Sequence, residues 1–459
     1  MTASTIADLE TPTSLFLKLR DFKPAFLLES VTHGEKVGRY SFIGLDPVKT
    51  IEYRGEGSLR ELIERELAAL GTVPAGDCPR SEATGTRSKT GTVPNRGDSP
   101  LGLVGAIAFE NVHELLPTGV TRVGRDGQPL AAFVVPRAVL TFDHAARRIS
   151  LDHADGPDAA AKLLAEIRTA MALPVPELPQ GGDYTEPNAT IDEPAFTAMV
   201  ERAQQHIAAG DIFQVVLSLA FEGETSLHPY QVYRALRHLN PSPYLYYLDF
   251  GAYQVIGSSP EALVKLQDGE LTIRPIAGTR KRGADDAEDA ALEAELRSDA
   301  KELAEHNMLV DLARNDVGRV AEIGSVRVPD LRVIERYSHV MHICSSVTGK
   351  LEASPLDAFA SAFPAGTVSG APKIRALQII NELEPRPRGF YAGSVGYFTP
   401  GGDFDQAITI RTIVMNNGRY SAQAGAGIVA DSVPANEYQE IRNKAAALLK
   451  ALEFAKDEL

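Results

Sequence analysis

From Tyr244 onward four strand-like runs follow one another with no helix between them: YLYYLDF, YQVIGSS, ALVKLQ and ELTIRPI. Asp268 and Gly269 separate the last two, and an Asp-Gly pair between apolar runs specifies a tight type I′ hairpin. Strands joined by hairpins pair antiparallel, so this stretch is not a parallel sheet of strand-helix-strand units. A second meander runs through YAGSVGYFTP, AITIRTIVMNN and RYSAQAGAGIV. Nearer the start, AFLLES, RYSFIG, TIEYRG and LGLVGAIAFE read as strands, and AAFVVPRAVLTFD with RRISLDH reads as a hairpin. Helical spacing of apolar residues marks SLRELIERELAAL, AAAKLLAEIRTAMA, AFTAMVERAQQHIAAG and PYQVYRALRHL. Runs of strands with helices between them predict an α+β fold with large antiparallel sheets.

At 459 residues and 44% hydrophobic composition the chain has material for a large core. Five prolines between Leu173 and Pro194 mark a boundary, and the helix that follows has Asp192 for an N-cap and Pro194 in its first turn. The expected organisation is a sheet-rich region over 1–172, a linker over 173–194 and a second region over 195–459. Residues 77–100 carry almost no large apolar side chain and read as a surface loop. A formal charge of -15 offers no electrostatic footprint for nucleic acid or anionic lipid, so an anionic ligand has to be met by local positive groups. No apolar run reaches membrane-spanning length, and MTASTIADLE lacks the basic start and apolar block of a secretory signal. Cys78 and Cys344 give neither a disulfide framework nor a zinc spacing. A cytoplasmic address is expected, with no nucleic-acid or membrane partner.

The densest chemistry lies in KELAEHNMLVDLARND, Lys301 to Asp316. On a helix Glu302, Glu305, Leu309 and Leu312 share one stripe, which puts carboxylates beside apolar side chains. Near the end, Glu437 and Glu440 of NEYQEIRNKAAALLKALEF repeat the three-residue spacing beside Ala447, Leu448 and Ala451. Partly desolvated carboxylates need a cation, and four of them around a gap suit a hard ion such as Mg2+. The alternative for both pairs is ordinary solvated helix charge.

Other candidates are scattered. FPAGTVSGAPKIR sets glycines and hydroxyls before a helix, an arrangement that leaves backbone N-H groups for a carboxylate or phosphate, or else a plain helix entry. AGAGIVADS allows close approach of backbone to a ligand, or marks a bulge. PIAGTRKRG passes from a strand into three cationic residues, alternatively a solvated turn. Glu261, where a strand restarts in SSPEALV, is placed to be a rigid proton donor or a turn former. His342 alternates with Met341 and Ile343 and so faces away from them.

LLES (Leu27–Ser30), NPSPY (Asn240–Tyr244), SSPE (Ser258–Glu261), PIAGT (Pro275–Thr279), EHNMLVDLARND (Glu305–Asp316), GTVSGAPK (Gly366–Lys373) and NEYQEIRNK occur in this order. Together they resemble the chorismate-using enzymes, most closely the large, aminating component of anthranilate synthases. The resemblance implies an α/β/β/α layered fold around two large antiparallel sheets. It implies Mg2+ held by Glu305 and Glu440, with Glu302 and Glu437 in the next shell. It makes Glu261 the general acid for the departing C4 hydroxyl of chorismate and His342 an assistant in the loss of pyruvate. Gly278, Thr279, Thr367 and Gly370 would hold carboxylates and the ring hydroxyl. Tyr391, Arg411, Gly425 and Gly427 would grip the enolpyruvyl carboxylate.

Two positions separate the siblings. Water-adding relatives have a lysine base where this chain has Gln214, and a neutral amide cannot deprotonate water, so ammonia is the better-suited nucleophile. Relatives of the para-aminobenzoate branch carry a nucleophilic lysine where this chain has Ala277. Formation of anthranilate is the implied reaction, with 4-amino-4-deoxychorismate formation and a non-catalytic tryptophan-binding regulator as alternatives. Neither cysteine sits in a strand-to-helix elbow, so a separate glutamine amidotransferase subunit would supply the ammonia. LLES and NPSPY resemble a tryptophan feedback site, with Glu29, Ser30, Asn240, Pro243 and Tyr244 as candidates. Leu245 replaces the methionine of many relatives.

Overall fold

The computed structural model describes residues 3–30, 39–71, 102–120, 124–125, 127–337 and 340–459, so the loop expected over 77–100 lies outside the described residues. In chain order the first part holds β1 (Ala3–Ile6), α1 (Pro12–Lys18), β2 (Pro24–Glu29), β3 (Tyr40–Tyr53), α2 (Leu59–Gly71), β4 (Leu103–Ile107), α3 (Val112–Leu115), β5 (Ala131–Asp143), β6 (Arg148–His153) and α4 (Pro157–Met171). Next come β7 (Asn188–Ala189), α5 (Glu193–Ala208), β8 (Gln214–Glu224), α6 (Pro229–Leu239) and the meander β9 (Tyr244–Asp249), β10 (Tyr253–Ser259), β11 (Ala262–Gln267), β12 (Glu270–Ile273) and β13 (Ile276–Lys281). Tandem helices α7 (Asp286–Ser298) and α8 (Ala300–Gly318) lead to β14 (Arg327–Arg336), β15 (Val340–Lys350), α9 (Pro355–Ala362), β16 (Gly370–Ala371) and α10 (Lys373–Leu383). The chain closes with β17 (Ser394–Phe398), β18 (Phe404–Ile408), β19 (Thr412–Asn416), β20 (Arg419–Ile428) and α11 (Pro434–Asp457).

Local chemistry sets the element ends. Asp268 and Gly269 both take positive φ, 50° and 79°, as the β11–β12 hairpin requires. Asp192 caps α5 by accepting from the Ala195 N-H at 2.9 Å. Asp299 breaks the acidic helical stretch into α7 and α8 and caps the second by accepting from the N-H groups of Lys301 and Glu302.

Among the described residues the strand pairings are antiparallel and form one network of twenty strands. The network has two arms that share the long strands β3 and β5. One arm runs β6-β5-β3-β2-β9-β10-β19-β20-β8. The other runs β5-β4-β17-β18-β11-β12-β15, with β13 and β14 also paired to β15. RYSFIG and TIEYRG, read as separate strands, are joined in β3, because Asp46 at φ 44° and Pro47 make a register slip opposite Pro136 rather than a turn. Pairing of β2 with β9 and of β4 with β17 ties the first 150 residues into the same sheets as the later strands.

Side-chain alternation then builds the layers. Phe26, Val104, Val134, Val139, Tyr246, Val255, Val395 and Ala407, drawn from both arms, form one buried cluster between the sheets. The opposite faces pack on helices. Leu27, Leu140, Tyr247 and Ile413 meet residues of α1, α4, α6 and α11, while Phe133, Leu217, Val264 and Phe404 meet residues of α5, α8, α9 and α10. This is the helix-sheet-sheet-helix order that the family resemblance implies. Phe26 is fully buried in the central layer, and its ring lies where a Cβ on Gly44 would fall, 2.0 Å away. Phe26→Ala is expected to remove about 3–5 kcal/mol of stability, read as an earlier midpoint in chemical denaturation with the same slope.

Candidate active site

A cavity of about 670 Å3 opens between the first arm, the start of α8 and the first turns of α11. Its walls bring together residues far apart in the chain. Gln214 enters at the start of β8, and β20 lies across it with Val215 opposite Ile428. A Cβ on Gly427 would fall 2.6 Å from the Gln214 amide nitrogen, and one on Gly425 would fall 2.7 Å from the Tyr391 hydroxyl. Only glycine lets both side chains lie against that strand.

Glu261 follows β10 and accepts a hydrogen bond from the Thr367 hydroxyl at 2.9 Å. Burial pushes its carboxyl up to about 7, against the pull of that hydrogen bond and of the Arg411 charge. It is therefore an acid that keeps its proton to neutrality. His342 stands on β15, its neighbours Met341 and Ile343 buried on the other face. The Gly278 carbonyl lies 3.0 Å from its Nδ1, and a carbonyl only accepts, so the ring proton is on Nδ1 and Nε2 is left as the base. Burial lowers its pKa, so the ring is neutral and able to take a proton.

Glu305 from α8 and Glu437 and Glu440 from α11 line the same cavity. Burial, then the charges of Glu302 and Glu440, push the Glu305 carboxyl up, and Glu437 is raised by burial and by Glu440. Two cations answer them: Lys301 stands on the cavity wall, and Lys444 pairs with Glu440 at 2.6 Å while donating to the Gly425 carbonyl at 2.9 Å. Mutually repelling carboxylates are the type of oxygen donor that a hard divalent cation takes. No three acidic, histidine or cysteine groups stand at metal-ligating spacing among the described residues. Glu302 points elsewhere, held at 3.1 Å by Arg280, which also binds Asp299 and Glu295. The cationic run after PIAGT is thus spent on neighbouring acids, with Arg282 on Asp289.

Thr279, Gly278 and Gly370 stand behind the wall. Thr279 sits across from His342 on β13, its hydroxyl 3.1 Å from Nδ1. Gly370, at φ 140°, packs against the Gln214 carbonyl, where a Cβ would fall 2.2 Å away.

A second cavity of about 440 Å3 opens into the layer between the sheets, lined by Glu29, Ser30, Pro243, Tyr244 and Leu245. Glu29 is buried; its Oε2 accepts from the Tyr233 hydroxyl and from Arg237 at 2.9 Å, and its Oε1 has no partner among the described residues. A buried carboxylate oxygen without a donor is a place for a ligand's ammonium group. Asn240 is not in this wall but lines the larger cavity, so NPSPY straddles the two.

The model of the family described as chorismate binding enzyme matches residues 23–450. The chain belongs to that family. It is 45% identical over 470 residues to anthranilate synthase component 1 of Thermus thermophilus, covering 98% of this chain and 97% of the relative. It is 43% identical over 477 residues to the protein of that name from Neisseria meningitidis serogroup A, covering 99% and 95%. Among solved structures, anthranilate synthase component I from Streptococcus pneumoniae TIGR4 superposes with a TM-score of 0.76 at 36% identity, covering 91% of this chain and 94% of that one. MenF, the menaquinone-specific isochorismate synthase of Escherichia coli, shares the fold with a TM-score of 0.72 at 21% identity, covering 98% and 94%.

In this chorismate-binding enzyme the sequence reading passed over Lys301, Tyr337, Gln423 and Lys444, all on the wall of the larger cavity. Lys301 precedes Glu305 by one helical turn and Lys444 follows Glu440 by one, a spacing that was there to be read. Tyr337 and Gln423 carry no such signal. The folded state holds the Glu261 proton to about 7, whereas the unfolded chain releases it near the ordinary glutamate value. Its contribution to stability is therefore present at low pH and lost as pH rises through about 7. Glu261→Gln, which cannot ionise, is expected to unfold later than the parent at pH 8.5 by on the order of 2 kcal/mol, with the gap closing toward pH 4.

Proposed function

We propose that this chain makes anthranilate: it adds ammonia to C2 of chorismate and then eliminates pyruvate, the first step of tryptophan synthesis. The observation that carries the reading is a half-buried carboxylic acid, Glu261, and a neutral imidazole, His342, in one cavity whose amide, Gln214, stands where water-adding relatives have a base. Glu261 holds the proton that the C4 hydroxyl needs to leave as water. As ammonia bonds to C2 the ring double bonds shift, the C4–O bond breaks, and the ammonium proton restores Glu261. In the second half His342 takes the remaining proton at C2 through Nε2, the C3–O bond breaks, and enolpyruvate departs and becomes pyruvate. The balance is chorismate and ammonia to anthranilate, pyruvate and water.

Binding is the work of the surrounding groups. Arg411, Tyr391 and the Gly425–Gly427 backbone grip the enolpyruvyl carboxylate, and Thr367 orients both Glu261 and the ring hydroxyl. Glu305 and Glu440 would hold Mg2+, with Glu437 in the next shell, and the ion would supply positive charge for the ring carboxylate. Ala277, in β13 beside His342's strand, offers no nucleophile, which favours direct amination over the para-aminobenzoate chemistry. The relatives' name, component 1, supports a separate partner subunit, here a glutamine amidotransferase delivering ammonia. Tryptophan occupies the smaller cavity as inhibitor, its ammonium on the Glu29 Oε1 that has no partner among the described residues and its indole against Pro243, with Ser30 at the polar end.

Purified chain with chorismate, Mg2+ and ammonium at alkaline pH is expected to produce anthranilate fluorescence. A para-aminated product that keeps its enolpyruvyl group, or no turnover at all, overturns the reading. Glu305→Ala should fold normally, shown by an unchanged circular dichroism spectrum, and lose at least roughly 100-fold of the Mg2+-dependent rate. Ser30→Phe should keep turnover within about twofold and raise the tryptophan concentration for half inhibition at least about tenfold, because it fills the polar end of the smaller cavity.

A further inference from the structure

The two cavities are joined by a string of side chains on the second arm. Arg274, between β12 and β13, lines the smaller cavity, and its guanidinium forms an ion pair with Glu335 on β14. The other oxygen of Glu335 accepts from the Tyr337 hydroxyl at 3.0 Å. Tyr337 lines the larger cavity and meets His342 edge to face, ring centres 5.6 Å apart. Glu335 and His342 are also direct cross-strand partners on β14 and β15, and Thr279 is the partner of His342 on the other side. Glu335 itself lines neither cavity.

We infer that Glu335 and Tyr337 are positioning residues for His342, and that Arg274 ties them to whatever occupies the smaller cavity. This rests on the reading of that cavity as an amino-acid site. A zwitterion whose ammonium meets Glu29 brings a carboxylate into a cavity whose wall holds Arg274. Guanidinium binds one carboxylate fork well, so the ligand carboxylate and Glu335 compete for it. When Arg274 turns to the ligand, Glu335 loses its countercharge and Tyr337 loses a fixed acceptor. His342 then loses the ring packed against it and the steady charge across the strand. The exchange runs both ways: a substrate that settles His342 and Tyr337 holds Glu335 in place, keeps Arg274 on it, and disfavours the amino acid.

The test is a coupling measurement on the full chain with Mg2+ and no nitrogen source, so that chorismate binds without being consumed. Tryptophan binding is followed by calorimetry with and without saturating chorismate. In the parent, chorismate is expected to weaken tryptophan binding at least about fivefold. In Glu335→Ala and in Glu335→Gln, the latter keeping the shape and an acceptor for Tyr337, that factor should fall to within about twofold of one. Tryptophan affinity without chorismate should hold or tighten, since Arg274 is no longer shared, and anthranilate formation without tryptophan should fall at least about fivefold in Glu335→Ala and less in Glu335→Gln, which keeps the acceptor for Tyr337. Parent-sized coupling in either variant overturns the string while leaving the tryptophan site intact. Absence of tryptophan binding in the parent overturns the reading of the smaller cavity and the string together.

Discussion

The geometry of this molecule depends on two strands that are too long for one sheet. β3 and β5 pair over nearly their whole length, and the slip at Pro47 and Pro136 lets each half join a different arm. On β5 the inward set changes from Ala132 and Val134 before the slip to Val139 after it, while all three remain in the layer between the sheets. The outward set changes partners with it, from the cluster of Phe133 to that of Leu140. One continuous backbone thus fixes the distance and angle between two sheets. The gap left at the open end of their shared layer, between Phe42, Tyr244 and Tyr397, is the smaller cavity.

The larger cavity is set by charge as much as by shape. An acidic chain with a net charge of -15 has gathered three carboxylates, Glu305, Glu437 and Glu440, on one cavity wall, where among the described residues Lys301 and Lys444 partly offset them. Like charges gathered in this way raise one another's proton affinity, as at Glu305 and Glu437. Glu261 stands apart from that group, with a hydroxyl and a distant guanidinium for company, and keeps its proton. The same cavity therefore holds a cluster of carboxylates on one side and, on the other, a carboxyl group that burial pushes up to about 7.

Much of this was legible in the sequence because it is local. The Asp268–Gly269 turn, the Asp192 cap and the opposite facing of His342 from Met341 and Ile343 follow from backbone preferences and period-two alternation. The joining of RYSFIG and TIEYRG into β3 was not, since Asp46-Pro47 has the look of a turn and becomes a slip only once β5 lies beside it. Nor was the fate of Arg280 legible, because its partners Glu295, Asp299 and Glu302 lie on two helices whose packing against β13 is tertiary. Lys373 is a similar case: read as part of an anion-binding turn, it is buried against Asp316 at 2.9 Å and bonds the Ser361 and Ala362 carbonyls, fastening the Thr367 turn to α8. That pair connects the helix that carries Glu305 with the turn that holds Glu261's hydrogen-bond donor, so the Glu305 and Glu261 sides of the cavity share one anchor.

The NPSPY segment shows why two cavities in one fold need not be independent. Asn240 to Ser242 face the larger cavity and Pro243 to Leu245 the smaller, so one stretch of backbone is wall to both. The Asn240 carbonyl is gripped by the Ser258 hydroxyl three residues before Glu261, and Tyr244 donates to Asp405 at 3.2 Å across the smaller cavity. Backbone on the first arm and the Arg274–Glu335–Tyr337 string on the second approach the larger cavity from opposite sides, one toward Glu261 and the other toward His342.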